Sequence, residues 1–83
     1  MYFVYILQSI VDRSFYIGYT SNIVNRLNEH NYGRTRYTKL KRPWMLIYKE
    51  EYKMRSEALK REKYLKKLKS KEYLKKIIGG LGP

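Results

Sequence analysis

The chain contains no cysteine, and it has only two prolines and seven acidic residues among its 83 positions. The absence of cysteine excludes disulfide bonds and metal sites built from thiolates. It also suits a reducing compartment, so we expect a cytoplasmic protein, although many exported proteins lack cysteine too.

A long hydrophobic segment is also lacking. The most apolar run, MYFVYIL at residues 1–7, is far shorter than the roughly 20 residues that a membrane-spanning helix needs. It has neither the basic flank nor the small-residue cleavage site of a signal peptide. We interpret it as a β-strand and expect no membrane partner.

The scarcity of acidic residues leaves the chain strongly positive. Nineteen Lys and Arg against seven Asp and Glu give a formal net charge of +12. Such an excess favours a polyanionic partner, which we expect to be a nucleic acid. A solvated surface that only maintains solubility is the plain alternative. An anionic membrane surface is a weaker one, because the basic segments show no broad apolar face for insertion.

Aromatic and β-branched residues cluster in two runs near the start of the chain. Residues 2–7 and 14–19 flank a short polar loop, which predicts a β-hairpin. The apolar spacing in 22–31 predicts a short helix that ends near Gly33. The candidate N-caps of this helix are Thr20, Ser21 and Asn22.

The second half of the chain predicts one more strand and two more helices. A basic loop at 32–43 precedes a strand at 44–52. Helices follow at about 55–68, capped by Ser56, and from Ser70 to about Ile78.

The predicted fold class is therefore α+β with the order ββαβαα. It would form a small three-stranded antiparallel sheet flanked by helices, which must cover at least one of its faces. Residues 1–78 form a single domain in this interpretation, and the glycine-rich residues 79–83 form a flexible tail. The chain shows no internal repeat and no inter-domain linker.

Two tyrosines and a glycine should share one face of the hairpin. With an even-numbered loop, odd positions of the first strand lie on the same side as even positions of the second. Tyr5, Tyr16 and Gly18 then lie together. Because a glycine weakens a strand, Gly18 indicates either a bulge or the close approach of another group. Two ordinary packed tyrosines would explain the same pattern.

Arg26 and His30 lie one turn apart on the first predicted helix, beside its apolar residues Ile23 and Leu27. An arginine at such an edge suits a phosphate, because its planar guanidinium donates two parallel hydrogen bonds. The structural alternative is an arginine whose charged end reaches solvent and a histidine stabilised by the helix dipole.

Glu62 lies three residues from both Leu59 and Leu65, within the apolar stripe of the second predicted helix, whereas Glu57 lies nearer the edge of that stripe. A buried carboxylate is costly unless it is paired or binds a metal. Pairing with a lysine is the structural alternative. A single carboxylate is also a usual way of holding Mg²⁺ together with water and phosphate oxygens.

These residues together resemble the GIY-YIG nuclease domain. FVY at 3–5 stands where the family has its first triplet, and YIG at 16–18 matches the second. Arg26 and His30 match the arginine and histidine of the family's first helix, and SEALKREKYLKKL resembles the helix that presents its metal-binding glutamate, here Glu62. Each triplet alone is a weak signal, whereas all five positions in this order make a strong one.

The resemblance covers about residues 2–69 and is greatest to small stand-alone bacterial members; similar domains occur in the excision-repair incision subunit. Two positions differ from that relative: Phe3 replaces the first glycine, and Tyr19 stands where it has a lysine. Some members use a late asparagine, and this chain has none after Asn31.

The resemblance implies a metal-dependent endonuclease that hydrolyses DNA phosphodiester bonds, with a possible role in repair or recombination. Glu62 would hold Mg²⁺ or Mn²⁺, and Arg26 would clamp a phosphate oxygen. Tyr5 or Tyr16 would orient or deprotonate the attacking water, and His30 would assist the proton transfer or position a phosphate. The residues alone do not decide between the two tyrosines.

The predicted basic loop would contact the DNA backbone without reading sequence. We therefore expect selectivity for DNA shape, ends or branches, or specificity supplied by a protein partner or a homodimer. The alternatives are a non-catalytic nucleic-acid-binding domain and an RNA- or ribosome-associated basic protein. The predicted contact residues are Arg34, Arg36, Tyr37, Lys39, Lys41 and Arg42.

Overall fold

The computed structural model describes residues 1–36, 38–68 and 71–79. Its elements, in chain order, are β1 (Tyr2–Ser9), β2 (Phe15–Thr20), α1 (Ile23–Asn31), a 3₁₀ turn (Lys39–Lys41), β3 (Trp44–Tyr52), α2 (Arg55–Lys67) and α3 (Lys71–Gly79). This order confirms the predicted α+β class. The 3₁₀ turn within the basic loop was not predicted. No helix in the described ranges is long and apolar enough to cross a membrane.

The three strands form an antiparallel sheet in the order β2-β1-β3, so β1 is central. In the β1–β2 hairpin, Tyr5 pairs with Gly18 and Leu7 pairs with Tyr16. Residues opposite each other in a ladder project to the same face. The predicted common face of Tyr5, Tyr16 and Gly18 is therefore confirmed.

Alternate residues of β1 enter two separate cores on opposite faces of the sheet. Val4 and Ile6 pack with Ala58 and Leu65 of α2 and with Leu74 of α3. On the other face, the residues that pack together are Tyr5, Leu7, Tyr16, Trp44 and, from α1, Ile23 and Leu27. Helix α1 thus covers one face, and α2 and α3 cover the other.

The ends of α1 follow the sequence prediction. The Asn22 side chain accepts a hydrogen bond from the backbone N–H of Asn25 at 3.0 Å, which identifies Asn22 as the N-cap. Gly33, just beyond the helix, has a φ of 76°, a conformation that glycine adopts without strain. These contacts fix the axial position of Arg26 and His30.

The predicted cap of α2 is wrong. The helix begins at Arg55, one residue before Ser56, and Met54 is its N-cap residue. The Glu57 carboxylate accepts a hydrogen bond from the Met54 N–H at 3.3 Å, so a glutamate at the third helical position satisfies this backbone donor. Ser70, the predicted cap of α3, lies outside the described residues. So do residues 80–83 of the predicted tail, whose first residue, Gly79, ends α3.

Hydrogen bonds to the Glu50 carboxylate connect α2 to β3. Glu50 accepts hydrogen bonds from Tyr48, Tyr52 and Arg61, whose Nε lies 3.0 Å from the carboxylate. Burial alone would raise the pKa of Glu50, but these hydrogen bonds outweigh burial and hold the pKa below its usual value. These hydrogen bonds therefore fix the rotation of α2, and with it the direction in which Glu62 projects.

Candidate active site

Tyr5 and Gly18 meet in unusually close contact on the α1 face of the sheet. A Cβ atom on Gly18 would lie 2.5 Å from the Tyr5 hydroxyl oxygen and 2.7 Å from Cζ of the ring. Only glycine leaves room for the tyrosine here, since no side chain tolerates such distances. Of the two explanations that the sequence left open, the structure supports close approach.

Helix α1 brings two polar groups to the Tyr5 hydroxyl. Arg26 Nε donates a hydrogen bond to the phenolic oxygen at 3.4 Å, and His30 Nε2 lies 3.1 Å from the same oxygen. Tyr5 is 2% exposed and His30 is fully buried, whereas the Arg26 side chain is 33% exposed. The site is therefore a buried Tyr5–His30 pair with a guanidinium at its mouth.

Tyr16 packs beside this pair. Its ring centroid lies 4.8 Å from that of His30 and 6.4 Å from that of Tyr5, and the Trp44 ring is 6.2 Å away. Tyr16 also lines a cleft of about 440 Å³ at the free edge of β2, together with Lys66 of α2. Tyr16 thus stands between the α1 face and the side of the sheet that α2 covers.

Burial disfavours charge on both members of the central pair. It raises the pKa of the Tyr5 phenol to about 12, against the opposing effect of the hydrogen bond from Arg26. Burial, followed by repulsion from the Arg26 cation, lowers the pKa of His30 to about 4, and attraction to Glu29 only partly compensates. At neutral pH the site therefore contains a neutral phenol, a neutral imidazole and one cation.

Glu62 does not contact the other four predicted site residues directly. It lies on α2, which packs against the opposite face of the sheet from α1. Its side chain is 13% exposed and forms an ion pair with Lys66 at 3.6 Å. The carboxylate is nevertheless close enough to contribute to the raised pKa of Tyr5.

The donor set suits only one kind of metal site. No group of three or more His, Asp or Glu side chains converges within the described residues, so a closed structural site of protein ligands is absent from that part of the chain. Mg²⁺ and Mn²⁺ are often held by one or two carboxylates, with waters and substrate phosphate completing the shell. Glu62 fits that arrangement, because its side chain is largely buried and its carboxylate pairs with the exposed Lys66.

The predicted basic loop is only partly free to bind phosphates. Lys41 forms an ion pair with Asp12 of the hairpin turn at 3.2 Å, so its charge is already paired within the chain. Arg42 packs over Gly33 at the end of α1. Tyr37 lies outside the described residues. The other predicted contacts, which are exposed, are Arg34, Arg36 and Lys39.

Two residues at the site were not predicted. Thr38 is fully buried, and its hydroxyl oxygen lies 2.8 Å from His30 Nδ1. Trp44 is 3% exposed and donates from its indole nitrogen to the Thr38 carbonyl at 2.9 Å. Neither contact has a periodic signature in the sequence, because Thr38 lies in a loop.

Comparison with known proteins identifies the family of this site. Residues 1–76 match the model of the GIY-YIG catalytic domain. The chain belongs to the GIY-YIG family. Membership places it among nuclease domains and agrees with the observed order of strands and helices.

Small proteins of similar length are among the relatives of this GIY-YIG chain. It is 40% identical over 77 residues to a UPF0213 protein of Staphylococcus haemolyticus, covering 92% of this chain and 93% of that one. It is 45% identical over 71 residues to a UPF0213 protein of Listeria monocytogenes, covering 84% and 79%. The solution NMR structure of a UPF0213 protein from Bacillus halodurans matches with a TM-score of 0.61 and 30% identity, covering 99% and 87%.

In this GIY-YIG domain, replacing Gly18 with alanine should displace the Tyr5 hydroxyl from His30 and Arg26. We expect a loss of about 1–3 kcal/mol in the free energy of unfolding, because the added methyl overpacks the site. Urea unfolding measures it. Gly79→Ala is the matched control, since a Cβ there meets no atom within 4 Å; an equal loss in both variants would contradict the close approach.

The buried histidine also predicts a pH dependence of stability. Its pKa falls from 6.5 to about 4 on folding, so the unfolded chain takes up the proton first as the pH drops. The free energy of unfolding should therefore decrease by about 2 kcal/mol between neutral pH and about pH 5. The titratable or charged groups near His30 are Tyr5, Tyr16, Arg26 and Glu29.

Urea unfolding at several pH values measures this decrease. His30 is the only histidine in the chain, so His30→Asn should flatten the dependence above about pH 5, where most carboxylates are still ionised. A slope that is the same in the variant and the parent would show that His30 is not desolvated.

Proposed function

We propose that the chain is a metal-dependent endonuclease that hydrolyses DNA phosphodiester bonds at the site formed by Tyr5, Arg26, His30 and Glu62. The observation that supports it most is the connected Arg26–Tyr5–His30 hydrogen-bond chain in a domain that belongs to a nuclease family. A purely structural role does not require a cation to be held at the mouth of a buried tyrosine–histidine pair.

Arg26 is placed to hold the scissile phosphate. Its Nε is engaged by Tyr5, while its terminal Nη1 forms only a 3.7 Å ion pair with Glu29, in a partly exposed position. Exposed ion pairs of this kind contribute little to stability. The scissile phosphate, which gains negative charge in the transition state, can therefore displace Glu29 from Arg26 readily. The terminal nitrogens then donate to a non-bridging oxygen, where negative charge develops.

Tyr5 is the better placed of the two tyrosines to pass a proton. As the attacking water loses a proton to the phenolic oxygen, the phenolic proton moves to His30 Nε2, and the water oxygen forms the bond to phosphorus. The 3′ oxygen leaves as its bond to phosphorus breaks and takes a proton from solvent, and His30 afterwards releases its proton to solvent. No free phenolate is required, which matters because burial raises the pKa of Tyr5 to about 12.

Glu62 is the proposed ligand of the Mg²⁺ or Mn²⁺ ion. When bound there, the ion would supply positive charge to the leaving oxygen and the scissile phosphate. The neighbouring Lys66, whose side chain is 51% exposed, can turn away from Glu62 at little cost, because it is a surface lysine.

The exposed basic residues support a substrate recognised by its backbone. Arg34, Arg36 and Lys39 offer charge without a rigid, base-reading element, so we propose selectivity for DNA shape, ends or branches in repair or recombination. A protein partner or a second copy of the chain would supply any further specificity. We propose that this work takes place in the cytoplasm.

A plasmid-nicking assay with purified protein tests the proposal. We expect supercoiled DNA to become nicked with Mg²⁺ or Mn²⁺, and no nicking with EDTA. Branched and single-stranded oligonucleotides, and an RNA of the same sequence, compare the substrate classes. If no nucleic acid is cleaved with either metal, the proposed nuclease activity is refuted.

Two observations favour a second candidate, a non-catalytic nucleic-acid-binding domain. Tyr5 is 2% exposed and Glu62 is engaged by Lys66 on the far side of the sheet, as expected of side chains that only support the fold. In this case DNA binding would be retained, with strong salt dependence, while nicking would be absent with every metal.

Removing single hydroxyl groups separates the roles of the two tyrosines. We expect Tyr5→Phe to lower the single-turnover cleavage rate by about a hundredfold, because the proton path to His30 is cut. Tyr16→Phe should have a smaller effect, since its ring contact with His30 is kept. Rapid-quench measurement with excess protein gives both rates. A larger loss in Tyr16→Phe would assign the proton transfer to Tyr16.

A further inference from the structure

Thr38 connects the basic loop to the buried His30. The threonine is fully buried, and its hydroxyl oxygen lies 2.8 Å from His30 Nδ1 and 3.4 Å from the carbonyl oxygen of Thr35. Its own backbone is held on both sides: its N–H donates to Thr35 at 3.2 Å, and its carbonyl accepts from the Trp44 indole at 2.9 Å. The hydroxyl is therefore a fixed group.

One assignment of hydrogen-bond directions satisfies every group in the chain from Thr35 to Arg26. The Thr38 hydroxyl has one proton, and when it donates that proton to the Thr35 carbonyl its oxygen accepts from His30 Nδ1–H. His30 Nε2 then has no proton and can only accept, which makes the Tyr5 hydroxyl its donor. The Tyr5 oxygen keeps its lone pairs for Arg26 Nε–H.

The opposite tautomer leaves a group unsatisfied. With a proton on Nε2, both His30 and Arg26 would donate to the Tyr5 oxygen, and among the described residues the phenolic proton would have no acceptor. Tyr5 is 2% exposed, so in the absence of substrate a water molecule is no ready substitute. An unsatisfied buried donor costs about 1–3 kcal/mol, which favours the first arrangement.

We infer that Thr38 is a positioning residue that holds His30 as its Nδ1–H tautomer, so that Nε2 is the acceptor for the Tyr5 hydroxyl proton. The catalytic consequence rests on the proposed function, because only a nuclease that passes a proton from Tyr5 to His30 needs this tautomer. The tautomer itself follows from the contacts alone. When His30 becomes positively charged, its Nδ1–H still donates to Thr38, which stabilises the cation.

The tautomer can be observed without any nuclease activity. The chain has a single histidine, so one set of imidazole signals appears in a two-bond ¹H–¹⁵N correlation spectrum of ¹⁵N-labelled protein at neutral pH. We expect a protonated Nδ1 and an unprotonated Nε2 in the wild type and in Thr38→Ser. In Thr38→Val, which keeps the shape but removes the hydroxyl, we expect a shift towards the Nε2–H form.

Two results would overturn the inference: a wild-type spectrum of the Nε2–H form, or a Thr38→Val spectrum identical to the wild type. If Thr38→Val does not fold, the wild-type tautomer and the retained signal in Thr38→Ser still decide the question.

Cleavage rates test the catalytic consequence separately. We expect Thr38→Val to lower the single-turnover rate by about ten- to a hundredfold, with DNA affinity unchanged, and Thr38→Ser to restore most of it. A folded Thr38→Val variant with the wild-type rate would overturn the positioning role. If the wild type cleaves no nucleic acid, the proposed function fails, while the spectrum still establishes or refutes the tautomer.

Discussion

Replacing Glu62 with glutamine is expected to abolish metal-dependent nicking while leaving DNA binding intact. Glutamine has the same shape but lacks the charge that holds a divalent ion, and Glu62 is the carboxylate proposed to hold it. The lost ion pair with Lys66 should cost little stability, because the Lys66 side chain is 51% exposed. Plasmid nicking and fluorescence-anisotropy DNA binding, measured on the same preparation, check both parts.

Glu51→Gln is the matched control for this experiment. Glu51 is an exposed glutamate of β3. Its replacement by glutamine changes the net charge by the same amount as Glu62→Gln, but away from the site. We expect its nicking rate to equal that of the parent. If Glu62→Gln retains metal-dependent nicking, the ion is held elsewhere and the proposed role of Glu62 is wrong.

Replacing Arg26 with lysine should have the next largest effect, a fall of about a thousandfold in the single-turnover cleavage rate. Lysine keeps the positive charge but loses the planar fork, and it cannot at once donate to the Tyr5 oxygen and to a phosphate as the guanidinium does. The loss should appear in the cleavage step, since the exposed loop residues retain most of the affinity for DNA.

The control for Arg26 is Arg55→Lys. Arg55 is an exposed arginine at the start of α2 that donates hydrogen bonds to the Tyr19 hydroxyl, so it also has a tyrosine partner, away from the proposed site. We expect less than about a threefold change in rate for a surface substitution of this kind. If both variants show the same small change in rate, Arg26 contributes only its positive charge and does not hold the phosphate through its guanidinium.

The parts of the structure that depend on local patterns could be predicted from the sequence. Alternation of side chains set the common face of Tyr5, Tyr16 and Gly18, and the hairpin register confirms it. Helical periodicity placed Arg26 beside the core. The cap of α2 was missed because Ser56 is a good N-cap residue in general, whereas here Glu57 satisfies the Met54 N–H from within the helix.

The relation between the two faces of the sheet could not be predicted. Periodicity indicates which side of a helix is buried, but it does not indicate which face of a sheet the helix covers. Glu62 was therefore expected beside Arg26, whereas Glu62 belongs to α2, which lies on the opposite face of the sheet from α1. Thr38 escaped prediction for a similar reason, because a loop residue finds its partner only through tertiary packing.

A crystal structure with a short DNA substrate and Mn²⁺, with the ion located by its anomalous scattering, tests the central claim most directly. We predict Mn²⁺ on the Glu62 carboxylate and a phosphate that contacts both this ion and the Arg26 guanidinium, near the Tyr5 hydroxyl. An ion bound away from Glu62, or a DNA backbone that passes over Arg26 and leaves Glu62 out of reach on the other face of the sheet, would contradict it.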